Sequence, residues 1–139
     1  MMDYKIVIPS LSRVDILKER TLNMLDTITK SNIYIFIIGD EYDEYKKALP
    51  DYNIIIGPLG CAEQKRFISN YFEEGDKLLF LDDDIKGFYK KNGSYLKPIE
   101  PQVLFDHTFE MMDKYKAHLC GLYPAKNPFF MRMKMRKGL

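Results

Sequence analysis

Three consecutive carboxylates, Asp82-Asp83-Asp84, follow directly on the apolar run Leu78-Leu79-Phe80-Leu81. Neighbouring carboxylates repel by a few kcal/mol at about 4 Å and an effective dielectric near 20, and a divalent cation removes that cost. Magnesium-like ions are held by one or two carboxylates, with substrate phosphates completing the shell. The chemistry suited to this triplet is therefore metal-diphosphate binding. If the strand runs on through it, Asp82 and Asp84 project to one side, roughly 6–7 Å apart, and Asp83 to the other. The competing reading is a solvated turn whose aspartates cap the following segment.

Other residues with chemical potential sit at the ends of other apolar runs. Asp40 closes the second run, where an acid can accept hydrogen bonds from a ribose or a base or simply cap a helix. Ser10, Ser12 and Arg13 follow the first run. Helix-start amides beside an Arg suit a phosphate, and capping with a surface Arg is the alternative. Gly57-Pro58-Leu59-Gly60 leads into Glu63-Gln64-Lys65-Arg66. Glycine permits close approach to a ligand, and Lys65 or Arg66 would face a diphosphate or belong to a solvated helix face. Cys61 at a helix start has the position of an activated thiol, but no His lies near it in sequence, which favours a structural, partly buried Cys. His107 and His118 lack ligand spacing. The alternation of Met131, Met133 and Met135 with Arg132, Lys134 and Arg136 reads as a half-exposed edge strand guarded by cations, or as an anion contact.

These residues need a scaffold, and the pattern supplies one. Lys5–Ile8 is a strand closed by Pro9-Ser10. A helix capped at Ser12 carries Leu17, Thr21, Met24, Leu25 and Ile28 at helical spacing. Ile33–Ile38 is a second strand, Glu41–Lys47 a short exposed helix, and Tyr52–Ile56 a third strand closed by Gly57-Pro58. The helix opened by Gly60-Cys61-Ala62 has the apolar stripe Phe67, Ile68, Tyr71 and Phe72, with Gly75 as its C-cap. Lys77–Leu81 then reads as a strand buried on both faces. Repeated strand-helix units predict a parallel sheet with right-handed crossovers, whose carboxyl edge gathers Ser10, Asp40 and the triplet. Beyond it, Phe88–Lys91 and Ser94–Leu96 form a hairpin around Asn92-Gly93. Pro101 starts a helix with Phe105, Thr108, Phe109, Met112 and Tyr115 on its apolar side. His118–Leu122 reads as a further strand.

With 139 residues the expectation is one domain over 1–139. Hydrophobic content of 46% argues against disorder, and a net charge of +1 gives no overall pull toward nucleic acid or membrane. Two cysteines without paired spacing fit a reducing compartment. Met1–Lys5 lacks the cationic and apolar regions of a signal peptide. Nowhere do about 18 apolar residues run uninterrupted, and the expected location is the cytoplasm.

Ile6-Val7-Ile8-Pro9-Ser10, Gly39-Asp40, the helix carrying Lys65-Arg66 and Leu79-Phe80-Leu81-Asp82-Asp83-Asp84 together resemble the nucleotide-binding half of a GT-A glycosyltransferase of the family 2 type. The resemblance is close over 4–88 and loose over 98–131. A weaker likeness is to the glycosyltransferase domains associated with DNA-base-modifying oxygenases in phages and eukaryotes. The resemblance implies an α/β fold, a Rossmann-like sheet with helices on both faces. It implies an "Asp-x-Asp" motif, a manganese or magnesium ion, and sugar transfer from a nucleotide-sugar, such as a UDP-sugar, to a hydroxyl of a glycan or a modified nucleic acid. Pro9, Ser10 and Arg13 would then line the nucleotide pocket, with Asp40 on base or ribose and Lys65 or Arg66 nearby. Asp82 and Asp83 would touch ribose and sugar, and Asp84 would hold the metal with Asp82 assisting. Two departures stand out. The acidic pair often found after the second strand is here Gly39-Asp40-Glu41, and the chain is short for the family's acceptor half, as though truncated there, so no catalytic base can be named. A nucleotidyltransferase of related fold would want a glycine-rich loop where Pro9-Ser10-Leu11-Ser12-Arg13 has none. A nucleotide-sugar-binding module without turnover is the remaining alternative.

Overall fold

The computed structural model describes residues 3–122 and divides the chain into two compact units, Met1–Lys86 and Gly87–Leu139. In the first, the isoleucine-rich runs become β1 (Tyr4–Pro9), β2 (Ile33–Ile37), β3 (Asn53–Ile56) and β4 (Lys77–Phe80). They form one parallel sheet in the order β3-β2-β1-β4. Between them run α1 (Val14–Glu19), α2 (Thr21–Met24), α3 (Tyr42–Ala48) and α4 (Cys61–Tyr71).

The order explains the layers. The chain steps from β1 to β2 to β3 in one direction and then crosses back to β4. Right-handed crossovers therefore put α1–α3 on one face and α4 on the other. Alternation along the strands agrees. Val7 and Phe36 are buried against Ile68 of α4, with Tyr34, Ile55, Phe67, Phe72 and Leu78 packed around them. Ile6, Ile8, Ile33, Ile35 and Ile37 project to the opposite face, and Leu17, Leu22, Leu25, Ile28, Tyr45 and Leu49 are buried with them. The fold class expected from the pattern is present: a parallel sheet covered on both faces, compatible with a Rossmann-like fold.

Three details differ from expectation. β4 is an edge strand with half-buried leucines and Phe80 at 42% exposure, because the sheet order leaves one of its sides unpaired among the described residues. The first helix begins at Val14 without a side-chain cap. Ser12 has the positive φ of 53° and turns its hydroxyl to Glu41 instead. The helix also breaks at Arg20 into α1 and α2.

In the second unit, β5 (Phe88–Asn92) and β6 (Tyr95–Ile99) form an antiparallel hairpin. Its two-residue loop is Gly93-Ser94, one position later than expected. Gly93 has φ +64°, as primed turns require at their first position. α5 (Pro101–Tyr115) starts on Pro101 and ends at the left-handed Lys116. Phe105 of α5 meets Phe88 edge-on at 5.4 Å. The strand expected over His118–Leu122 does not form, and Leu119 is 90% exposed. The alternating segment from Met131 to Lys137 lies outside the described residues. Among the described residues no helix is long and apolar enough to cross a membrane.

Candidate functional site

β1 has β2 on one side and β4 on the other, so the strand order reverses beside it. Open α/β sheets bind ligands in the crevice outside the carboxyl ends of the strands at such a point. A cavity of about 440 Å³ opens there. Pro9, Ser10, Leu11 and Arg13 form one wall, and Pro58, Leu59, Gly60, Cys61, Gln64 and Lys65 at the start of α4 form another. Ile38 and Asp83 complete it.

Hydrogen-bond directions in the wall can be assigned. Ser10 Oγ donates to Asp83 Oδ2 at 3.0 Å, so the same oxygen accepts from the Tyr45 hydroxyl at 2.8 Å. The Tyr45 oxygen in turn accepts from the Arg13 backbone N–H at 3.1 Å. The Arg13 guanidinium closes the ring on Asp83 at 3.3 Å and reaches Asp84 at 3.1 Å. Ser10, Tyr45 and Asp83 are all buried, and a connected network satisfies the polar groups that burial would otherwise penalise. Burial pushes the Tyr45 phenol above its ordinary pKa. The hydrogen bond that its guanidinium donates to Asp84, then the charge of Asp83, raise that of Arg13. Thr21 pins the acidic turn from beneath: its Oγ1 donates to the Asp82 carbonyl at 2.7 Å and accepts from the Ile85 N–H at 2.9 Å.

Pro9, Ser10, Arg13, Lys65 and Asp83 are thus brought around one cavity. Asp40 is exposed and stands outside its walls, as does Arg66, one residue further round α4 than Lys65. The strand does not continue through the triplet. It stops at Phe80, the chain turns at Asp83-Asp84, and it is Asp83 that faces inward while Asp82 and Asp84 are exposed. No three His, Cys, Asp or Glu side chains gather as a self-sufficient metal site among the described residues. A cation at the turn would draw the rest of its shell from water, and from a ligand once one is bound. The exposed carboxylates of Asp82 and Asp84 have the hard oxygen chemistry for that, so the donor set fits magnesium or manganese.

Four contributors escaped the sequence reading. Tyr45 and Thr21 looked like ordinary members of helix faces. Glu41, rather than Asp40, is the buried acid after β2: Ser12 Oγ donates to its Oε1, and its Oε2 is buried without a partner among the described residues. Gln64 is 8% exposed, its Oε1 also unpartnered among the described residues. It packs so closely on Gly57 that a Cβ there would overlap its amide. The only advance signal was the glycine itself. No family model, curated protein or solved structure matches this chain, so the chemistry of the site rests on these residues alone.

Proposed function

We propose that this chain is a GT-A-like, metal-dependent glycosyltransferase acting on a nucleotide-sugar, with a UDP-sugar as the first candidate donor. One observation carries the reading: the cavity at the reversal of strand order is joined to the acidic turn through Ser10, Asp83 and Arg13. Its volume suits a nucleoside, and Pro9, Leu11, Ile38, Pro58 and Leu59 give it largely apolar walls for the flat faces of a base. Arg13 and Lys65 line the same space and would meet the diphosphate by charge-assisted hydrogen bonds. Asp83 is held by Ser10 and Arg13 with acceptor capacity left over, so it can orient a sugar or ribose hydroxyl. Asp82 and Asp84 would hold a manganese or magnesium ion, which when bound supplies Lewis-acid neutralisation of the leaving diphosphate.

The test is a thermal-shift panel of nucleoside diphosphates and nucleotide-sugars, with and without manganese, followed by assay of nucleotide release. Ligand stabilisation follows mass action. A manganese-dependent shift with one nucleotide-sugar, accompanied by release of its nucleotide, supports the enzyme. A shift without release points to a binding module, and no shift with any nucleotide overturns the reading.

A further inference from the structure

The two ion pairs of Arg13 are unequal. The Asp83 side chain is only 9% exposed and also receives Ser10. The Asp84 side chain is 44% exposed and has Arg13 as its sole partner among the described residues. Among the described residues a single guanidinium nitrogen, Nη2, serves both carboxylates, while the Arg13 Nε–H is buried with no partner. The guanidinium is therefore posed to meet Asp84 at the expense of one of its own donors. It is anchored on Asp83, and its pair with Asp84 is of the exposed, readily exchanged kind. Arg13 cancels one of the three negative charges of the triplet, and it does so at a carboxylate that a cation would use.

We propose that Arg13 and a divalent cation are alternative partners of Asp84, the guanidinium neutralising it in the free chain and a cation displacing the guanidinium toward the cavity. The inference rests on the metal reading of Asp82 and Asp84 given above. Loading of the turn then leaves Arg13, still tied to Asp83, with donors free for an anion in the cavity it lines. Metal and anionic ligand bind in sequence for a reason contained in one side chain.

The test is a calorimetric titration of the full chain with manganese at low ionic strength, for the native protein, Arg13→Gln, Arg13→Lys and Asp84→Asn. Removing the competing charge should tighten manganese binding by about three- to tenfold in Arg13→Gln. Arg13→Lys should stay near the native affinity, and Asp84→Asn should lose the site. Magnesium titration of the isotopically labelled native protein, which needs no variant to fold, should shift the Arg13 Nε–H resonance in step with binding. Equal affinity in the native protein and Arg13→Gln, or a resonance that stays still while magnesium binds, overturns the exchange alone. Absence of binding in every chain overturns the metal reading as well, so the two failures are told apart.

Discussion

Ser10 Oγ donates to Asp83 Oδ2 at 3.0 Å, joining residues 73 positions apart in the chain, and both side chains are buried. The bond ties the end of β1 to the acidic turn after β4, so neither can shift without the other. Ser10→Ala leaves a buried carboxylate short of a donor and the Tyr45 hydroxyl short of an acceptor. It is expected to destabilise the chain by about 1–3 kcal/mol, read as a lower urea midpoint with an unchanged slope. A midpoint equal to that of the native chain would show that water replaces the serine freely and that the turn is not held as described.

Alkaline stability reports on the same ring. Burial, ahead of every other cause, raises the Tyr45 pKa above its ordinary 10.0, and burial followed by Asp51 raises that of Tyr52. A raised tyrosine pKa means that the fold prefers the neutral phenol. That contribution is whole below the ordinary value and is lost as the pH climbs through the raised one. Stability should fall beyond about pH 10. Tyr45→Phe should be less stable near neutrality, because Ser10 and the Arg13 N–H lose their partner, and its alkaline decline should be shallower. Denaturant melts across that range decide it. An unchanged decline assigns the effect to other groups whose pKa values are raised, Tyr52 and Lys5.

The sheet was readable because four apolar runs, each closed by glycine, proline or aspartate, admit few arrangements under right-handed crossovers. The site was readable where a residue type sits at a strand end: Pro9, Ser10, Arg13 and Asp83 all line the cavity. What escaped depends on where a strand stops. Alternation already sets Asp83 apart from Asp82 and Asp84, but it gives neither the end of β4 at Phe80 nor the turn that carries Asp83 inward. Glu41 and Asp40 differ in the same way, since the turn after β2 buries one acid and exposes its neighbour. Tyr45 lies 35 residues from the serine it meets, and no local pattern records such a pairing.

Gly57 and Gln64 should behave as a coupled pair. A Cβ at position 57 would overlap the Gln64 amide, whose side chain is buried and has little room to withdraw. Gly57→Ala is expected to cost about 1–3 kcal/mol, the usual range for overpacking, and Gln64→Ala should relieve most of it. A double-mutant cycle measures the coupling. Additive losses would place the cost in the backbone at Gly57 instead.

Asp84→Ala should leave stability within about 0.5 kcal/mol of the native chain, since the side chain is half exposed and its ion pair is a surface one. The same change should remove the manganese-dependent part of any shift given by a nucleotide-sugar, while the metal-independent part persists through Arg13 and Lys65. Thermal melts with and without manganese separate the two. A manganese-dependent shift that survives in Asp84→Ala assigns the cation elsewhere.

Cys61 offers a footprint of the cavity that requires no substitution. Its thiol is free and, contrary to the expectation of a partly buried Cys, exposed at the start of α4, where it lines the cavity beside Gly60 and Gln64. Cys120, in the second unit, is also free and exposed, so it serves as an internal reference in the same tube. A ligand that fills the cavity must cover the Cys61 thiol, because reaction with a thiol reagent follows access as well as thiolate fraction. Saturating nucleotide should therefore slow alkylation of Cys61 by about tenfold or more and leave Cys120 unchanged, as read by mass spectrometry of the digested chain over a time course. Equal protection of both thiols would indicate a global change in stability. Protection of neither, at concentrations where the nucleotide raises the melting temperature, would move the binding site away from α4.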